Sequence, residues 1–474
     1  MKIIKLAGRA LTVSLCLATG PVRAEIRAPD APERSVKALR IADHLNSHVA
    51  LSAGGLILWF EEREGDHWLL AHQPGREGIA WELYLGDLVA PYLTMSASGR
   101  LYMTGAGRIM ALDWAAKQPD RQPEILQLVN APQVKHSVAP VSGPDGSLYI
   151  VEPMTVTGFG PELAQKWQVT GLSAHLSGLS MNADGSRLFL TDAKQGLVAI
   201  DAVSGKWTTS ELPYSEDLSA SNNPMLHRPL PLRLDDGGEV VLVTANSANA
   251  GWIAEFSVSG NGGTPALKFL WSGDDAELND CFGPIFPWWE GDRLTHLLTI
   301  YPPETQSATC GSKDEHNGIL SLRFPVTPTP DFQFIARGTA FSVEAGMSVS
   351  NGNGDLLLRK PGSYSLFELL AGSGEIREWP LIFPSLDARI VAGSDGALLI
   401  LDAGNATNKK LSLLVPTLEG GRLFEEKVVQ PGFLRLTGVR AEATTLRVTA
   451  GFLLGTGTRL GTGTRLQIAP APMR

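Results

Sequence analysis

Three histidines stand at the same distance before a predicted hairpin turn in successive parts of the chain. Each lies nine residues before the Asp of an Asp-Gly turn. The histidines are His136, His175 and His227, and the aspartates are Asp145, Asp184 and Asp236. Imidazole is a common ligand of zinc, copper and iron, so three imidazoles in one register predict an open metal site. There are two alternatives. The histidines could form a polar rim that binds a ligand without metal, or they could simply pack at the starts of strands.

Glu344 and two adjacent tryptophans complete the set of candidate binding residues. Glu344 takes the equivalent place before a later turn if Gly354 is the turn glycine. The rings of Trp288 and Trp289 would point to opposite faces of a strand, so at least one must face a channel or a neighbouring sheet. Acidic residues in 274–280 are potential calcium ligands, but no complete calcium-loop motif is present. A solvated acidic loop is the simpler interpretation.

Two cysteines in the second half of the chain predict one disulfide. Cys281 and Cys310 are the cysteines that remain once Cys16, in the amino-terminal segment, is set aside. In an oxidising compartment such a pair normally closes a loop, here the long polar insertion 301–318. Two free thiols or soft-metal ligands are the alternative.

The amino terminus has the composition of a signal peptide. Lys2 and Lys5 precede the mostly apolar stretch 11–19, and small residues end the segment at Ala24. We therefore expect cleavage near Ala24, removal of residues 1–24, and a periplasmic or secreted mature protein. No later apolar stretch reaches the ~20 residues that a spanning helix needs, so no transmembrane segment is expected in the mature chain.

The net charge excludes some classes of partner. The whole chain carries a net charge of -9, and loss of the four basic residues of the leader would make it -13. An acidic protein is repelled by nucleic acid and by anionic lipid. The expected partner is therefore an envelope protein or peptide, and no nucleic acid.

A repeated pattern predicts the elements that must position these side chains. The segments APVSGPDGSLYIVEP (139–153) and SGLSMNADGSRLFLTD (177–192) both place an Asp-Gly turn between two apolar runs, which is a strong hairpin signal. The turn glycines of the six repeats are Gly99, Gly146, Gly185, Gly237, Gly354 and Gly396. A period of about 40 to 50 residues is typical of a β-propeller blade. We predict an all-β, eight-bladed propeller of four-stranded antiparallel blades, with seven blades as the alternative.

The same pattern sets the domain boundaries. Residues 25–45 are predicted to be an amino-terminal lead-in segment, 46–430 the propeller, and 431–474 a β-rich tail that either closes the ring or forms a separate element. The tail contains the duplicated hexapeptide in LGTGTRLGTGTRL (454–466), whose role is left open.

One segment carries a family resemblance. AIDAVSGKW (199–207) resembles the repeat signature of the quinoprotein-dehydrogenase-like (PQQ-like repeat) propeller superfamily. The resemblance implies an eight-bladed fold, and it extends to non-enzymatic members such as the outer-membrane-protein assembly propeller. The adjacent cysteines and the calcium ligand set of the quinone enzymes are missing. Dependence on PQQ is therefore not expected. No cofactor is firmly implied, and a transition metal or calcium is the open alternative.

Three functional hypotheses follow. We favour a binding or scaffolding module of the cell envelope with no catalytic residues. The first alternative is a metalloenzyme built on His136, His175 and His227 at the channel mouth. The second is a degenerate lactonase-like hydrolase, because residues 176–192 resemble a lactonase stretch in which Ser177 replaces a metal-binding asparagine.

Overall fold

The computed structural model is all-β, as predicted, and no helix occurs among the residues it describes. These residues are 26–27, 35–42, 50–53, 56–73, 78–86, 92–95, 100–105, 107–113, 121–131, 140–212, 224–234, 236–246, 251–258, 263–272, 282–290, 293–301, 318–326, 332–335, 348–350, 356–360, 362–369, 374–379, 389–392, 398–402, 410–417, 440–442, 445–449, 453–454, 457–458 and 465–468. In this part of the chain, nothing forms a helix of the length and apolarity that would cross a membrane.

Successive strands form successive sheets along the chain. Two strands come first, β1 (Ile26–Arg27) and β2 (Ser35–Ala42). The first sheet contains β3 (Ala50–Ala53), β4 (Leu56–Arg63), β5 (Asp66–His72) and β6 (Trp81–Gly86). The second contains β7 (Tyr92–Met95), β8 (Leu101–Gly105), β9 (Arg108–Asp113) and β10 (Glu124–Asn130). The third contains β11 (Val141–Ser142), β12 (Leu148–Glu152), β13 (Thr155–Phe159) and β14 (Gln165–Thr170). The fourth contains β15 (Ser180–Met181), β16 (Arg187–Asp192), β17 (Gly196–Asp201) and β18 (Trp207–Ser210).

The second half of the chain continues in the same way. The fifth sheet contains β19 (Met225–Leu226), β20 (Leu230–Arg233), β21 (Glu239–Asn246), β22 (Gly251–Val258) and β23 (Ala266–Ser272). The sixth contains β24 (Ile285–Glu290), β25 (Arg293–Tyr301), β26 (Gly318–Arg323) and β27 (Phe332–Ile335). The seventh contains β28 (Ser348–Ser350), β29 (Leu356–Arg359), β30 (Leu366–Leu369) and β31 (Ile376–Trp379). The eighth contains β32 (Arg389–Ala392), β33 (Leu398–Asp402) and β34 (Lys410–Thr417). The tail contains β35 (Arg440–Glu442), β36 (Thr445–Thr449), β37 (Leu453–Leu454), β38 (Gly457–Thr458) and β39 (Arg465–Ile468).

Consecutive strands pair antiparallel in these sheets, except in the fifth, where β19 and β20 both pair with β21. The predicted Asp-Gly turns join β11 to β12, β15 to β16 and β20 to β21. At the first of these turns, Asp145 accepts hydrogen bonds from the backbone and hydroxyl of Ser147, at 2.9 and 2.7 Å. Gly146 follows with a φ of 84°, a conformation that glycine adopts without steric cost.

The hydrophobic core lies between neighbouring sheets. One cluster joins the third and fourth sheets, where Val151 and Val156 pack with Leu188 and Ile200. Comparable clusters lie between the other successive sheets from the first to the seventh. The second strand of a sheet is covered on both faces, so every residue of β8, β12 and β16 is buried. Alternating polar and apolar positions are not required in such strands.

The amino terminus supplies the last strand of the eighth sheet. Strand β2, from the predicted lead-in segment 25–45, pairs antiparallel with β34, with Ser35 opposite Thr417. Strand β1 pairs parallel with β31 of the seventh sheet. The tail strands β35 to β39 pair only with one another in the described part of the chain. The first strands of the eighth and first sheets are in contact, which brings the two ends of the series together. The arrangement is consistent with a β-propeller.

Candidate functional site at the edges of the sheets

The structure describes only some of the predicted site residues. His175, His227 and Trp288 are described in full, and Trp289 only as part of the backbone of β24. His136, Glu344, Cys281 and Cys310 lie outside the described residues. The three-histidine metal site and the disulfide therefore stay predictions. Among the residues that are described, no three His, Cys, Asp or Glu side chains lie together in a way that would hold a metal ion.

His175 is held through its backbone. Its carbonyl accepts hydrogen bonds from the amide of Ala193 at 3.1 Å and from the hydroxyl of Ser173 at 2.9 Å. The residue is exposed, so the imidazole lies at the surface beside the start of the fourth sheet. This position leaves it free to meet a ligand from solvent.

His227 lies in a different environment, at the inner edge of the fifth sheet. It follows β19 directly, and its backbone amide donates to the carbonyl of Thr244 at 3.2 Å. Its Nε2 lies 3.4 Å from the side-chain amide nitrogen of Asn246. Burial lowers the pKa of His227 to about 4, against an opposing effect of the Phe282 backbone. The imidazole is therefore neutral at pH 7 and accepts from, or donates to, these neighbours without carrying charge.

Asn246 joins the fifth sheet to the segment that leads into the sixth. Its side-chain nitrogen donates to the carbonyl of Phe282, and its side-chain oxygen accepts from the amide of Phe282, both at 2.8 Å. The residue is 1% exposed. Two reciprocal bonds to one backbone unit satisfy groups that would be costly to bury unpaired. Sequence reasoning did not find Asn246, because nothing local distinguishes it from a turn asparagine.

Arg228 is the unusual residue of this edge. All three nitrogens of its guanidinium are buried and have no hydrogen-bond partner among the residues described. Burial lowers the pKa of Arg228 to about 9, so the side chain remains charged at pH 7. An ion buried without a partner costs on the order of several kcal/mol. Sequence reasoning missed it too, because an arginine beside Pro229 in a polar stretch is usually a surface residue.

The backbone at this point carries a β-bulge. Leu226 pairs with Ala245 and Leu230 pairs with Leu242, so the inner strand has one more residue than its partner over this interval. Bulges redirect side chains and accept proline, which lacks an amide hydrogen. The guanidinium of Arg228 reaches the fourth sheet, where a Cβ on Gly178 would lie 2.9 Å from its Nε.

The hydroxyl of Ser177, the residue in the lactonase-like stretch, forms hydrogen bonds with nearby backbone groups. Its hydroxyl oxygen accepts from the amide of Thr191 at 2.7 Å and donates to the carbonyl of Gly178 at 3.0 Å. Only 2% of the residue is exposed. Its role in the described structure is to fix the entry to the fourth sheet beside Gly178.

Trp288 lies in the hydrophobic core. It is 6% exposed and belongs to the cluster between the sixth and seventh sheets, together with Leu298 and Phe367. Its ring meets His296 edge to face, with 6.3 Å between the ring centres. The described contacts of Trp288 are those of a seam residue between two sheets.

The outer edge of the second sheet has a different composition. Among the described strands, β10 pairs with β9 alone, so no described strand covers its other edge. Ile125, Leu126 and Leu128 on this strand are 45%, 53% and 52% exposed. The side chain of Gln127 donates to the carbonyl of Glu162 in the third sheet and so fixes the strand in place. Three exposed branched side chains on one open edge are typical of a protein-interaction surface.

The outer strand of the third sheet is built from the same repeat and does not show this exposure. Trp167 of β14 stacks on Tyr149 with 5.8 Å between ring centres, and its indole NH donates to the carbonyl of Ala202 at 3.1 Å. Glycines make room for the ring, since a Cβ on Gly158 or Gly205 would lie 2.4 or 2.6 Å from it. Trp167 thus seals the seam between the third and fourth sheets.

Comparisons with known proteins agree on the fold and leave the function open. No family model matches the chain, and no curated protein matches it. Among solved structures, Sqt1 of Saccharomyces cerevisiae has a TM-score of 0.50 at 13% identity, over 81% of this chain and 99% of that one. BamB of Moraxella catarrhalis has a TM-score of 0.46 at 11% identity, over 79% and 99%. A dihydro-heme d1 dehydrogenase, NirN, has a TM-score of 0.47 at 16% identity, over 78% and 77%. Of these, the likeness to Sqt1 is consistent with a β-propeller fold for this chain.

Proposed function

We propose that this chain is an exported, eight-bladed propeller of the PQQ-like repeat type that binds a partner protein in the cell envelope. Eight antiparallel sheets in series support the blade count, with β2 as the fourth strand of the last blade. The composition of residues 1–24 supports export. No catalytic residue is assigned.

The observation that carries this proposal is the exposed apolar side of β10. Most aliphatic side chains in the described strands are buried between sheets, as in the complete burial of β12, and the outer strand β23 exposes one large aliphatic side chain among those described, Leu267 at 39%. Natural edge strands are usually blunted by charge or proline, because an open edge invites another strand. Here Ile125, Leu126 and Leu128 stand exposed on an open edge.

An extended segment of the partner is the occupant that fits such an edge. A strand that adds to β10 would pair with its free backbone groups and cover its aliphatic side chains, which is the usual logic of β-strand addition. The acidic net charge of -9 favours a partner segment that is basic or neutral outside its apolar positions. The neighbouring β14 offers no comparable surface, since its Val169 is 2% exposed and Trp167 is packed.

Site-specific photo-crosslinking in the native host tests the proposal. A photo-crosslinking amino acid is placed at Leu126 or Leu128 in the full chain, and at Gln168 on β14 as the matched control. We expect one adduct of defined mass from the two positions on β10 and none from position 168. Mass spectrometry of the adduct should locate the crosslink in an extended segment of another envelope protein.

Three results would overturn this function. Equal crosslinking at positions 126 and 168, or no adduct from either strand, would remove β10 as the binding edge. An adduct that consists of a second copy of this chain, with a dimer in sedimentation analysis, would replace the foreign partner by self-association. Cell fractionation with and without residues 1–24 tests the proposed location separately.

A further inference from the structure

Arg228 differs from the other arginines whose contacts are described in detail. Arg63 pairs with Glu82 at 2.7 Å and Glu61 at 2.9 Å, and the more buried Arg187 donates to the carbonyl of Gly263 at 3.0 Å. The guanidinium nitrogens of Arg228 are buried and meet no acceptor among the described residues. A buried cation that lacks an anion is strongly unfavourable, so such a group is kept where something else offsets the cost.

The surrounding backbone holds the guanidinium in this position. Leu226 packs on the cluster between the fourth and fifth sheets, whereas Met225 packs on the cluster of the sixth and seventh. With this alternation, Arg228 follows Leu226 toward the fourth sheet and His227 turns toward Phe282. Gly178 leaves the space that the guanidinium occupies, because any Cβ there would lie 2.9 Å from Nε.

Among the described residues, no charged group competes for the guanidinium. His227, its neighbour in the chain, faces the other seam and has a pKa of about 4, so it is neutral at pH 7. Burial lowers the pKa of Arg228, and no charged group in the described part of the chain acts on it. The chain as a whole is acidic, so any attraction for an anion at this seam must come from Arg228 itself.

We propose that Arg228 anchors a binding site for the oxyanion group of a small ligand, a carboxylate or a phosphate, at the seam between the fourth and fifth sheets beside Gly178. A guanidinium presents its NH groups as a planar fork that two oxygens of one oxyanion can accept together. Binding would supply the missing acceptors in a place where water is excluded, which strengthens each bond. This site is separate from β10 and does not depend on the proposed partner protein.

Calorimetry and thermal unfolding of the full chain test the site. The probes are sodium phosphate, sodium sulfate and sodium acetate, each compared with sodium chloride at equal ionic strength. We expect a saturable heat and a saturable rise in melting temperature with at least one probe. Arg228→Gln should weaken binding about tenfold or more, as expected for loss of bonds to a charged group. Arg233→Gln, at the exposed last residue of β20, removes the same charge and should leave binding unchanged.

Two further variants keep the test independent of folding defects. Gly178→Ala retains every charge but displaces the guanidinium. It should therefore weaken binding of the same anion that Arg228→Gln affects. Arg228→Met removes the buried charge and puts no polar group in its place. It should raise the melting temperature in chloride and abolish the further rise that the anion probes cause. Tighter binding of phosphate than of acetate would assign a phosphate ligand, and the reverse a carboxylate ligand.

The proposal is overturned if no probe gives a larger saturable heat or a larger rise in melting temperature than chloride does. It is also overturned if Arg228→Gln and Arg233→Gln respond to the anions as the unaltered chain does. A fall in melting temperature for Arg228→Met in chloride would count against it as well, because it would mean that an acceptor within the chain already compensates the charge.

Discussion

The inner edge of the fifth sheet and the outer edge of the second depart from ordinary burial in opposite directions. At the inner edge, Arg228 carries a charge into a place without water. At the outer edge, Leu126 and Leu128 hold aliphatic side chains in water. Neither arrangement stabilises the folded chain, and local departures of this kind are most often found at functional sites.

The third sheet shows that the fold does not require either departure. Its outer strand places Trp167 over the seam and keeps exposed positions polar, as with Gln168. The same repeat unit can therefore be completed without an exposed apolar edge. The difference indicates that packing alone does not explain the exposed residues of β10 or the buried charge of Arg228. The outer edge of the second sheet suits a polypeptide ligand, and the inner edge of the fifth sheet suits an anion.

Loss of Asn246 is expected to have the largest effect, since the inner edge depends on its bonds to Phe282. Asn246→Ala leaves a buried NH and a buried carbonyl without partners and should lower the free energy of unfolding by about 2–4 kcal/mol. Denaturant titration measures the loss. Thr244→Val is the control, because it removes one bond to Gly283 and should cost about 1 kcal/mol. Equal losses for both variants would contradict the central role of Asn246.

The pH dependence of stability separates the inner edge from the outer. His227 has a pKa of about 4 when folded, against 6.5 in the unfolded chain, so the unfolded chain takes up the proton first. Its contribution to stability is complete above pH 6.5 and should fall by up to about 3 kcal/mol as the pH falls to 4. His227→Gln should flatten this part of the profile. His175→Gln removes an exposed imidazole instead and leaves this slope in place; the same flattening in both variants would refute the assignment.

A single added methyl group should disturb the packing at the outer edge of the third sheet. Gly158→Ala places a Cβ 2.4 Å from the Trp167 ring and should cost about 1–3 kcal/mol through displacement of the indole. A double-mutant cycle with Trp167→Val tests the cause. The cost of Gly158→Ala should shrink when the ring is absent, and additive losses would show that the clash is not the reason.

The open outer edge should tolerate change. Leu126→Lys with Leu128→Lys is expected to alter the free energy of unfolding by no more than about 0.5 kcal/mol, since the side chains are exposed. Thermal unfolding measures this, and Leu128→Lys alone should abolish the adduct formed from the photo-crosslinking amino acid at position 126. A much larger loss of stability would mean that these residues pack within the chain and would remove the contrast with β14.

Much of the repeat was predictable because its determinants are local. Gly146, Gly185 and Gly237 all adopt positive φ at the predicted turns. Trp207, which ends the segment AIDAVSGKW, lies on the fourth strand of its sheet. Turn chemistry of this type acts over four residues and can be read directly from the sequence. The pairing of β2 with β34 was not predicted, because it depends on two segments at opposite ends of the chain.

The candidate sites were harder to predict, for a physical reason. The register of the three histidines stays a prediction, and it gave no information about Asn246 or the burial of Arg228. The apolar residues of β10 would suit a buried strand, and in the described part of the chain no sheet covers them. Whether a side chain is buried depends on the elements that pack around it, and a local stretch of sequence does not show which elements those are.

The pairing of β2 with β34 has a consequence for how the protein assembles. Strand β2 leaves the ribosome early, yet the strand that it must pair with is among the last to be made. The intervening sheets are therefore synthesised, and can stack, before β2 and β34 can pair. Until then β2 has no partner strand, and its pairing with β34 closes a loop of very high sequence separation, which slows this last step. A strand near the start of the chain is in this way among the last to find its partner.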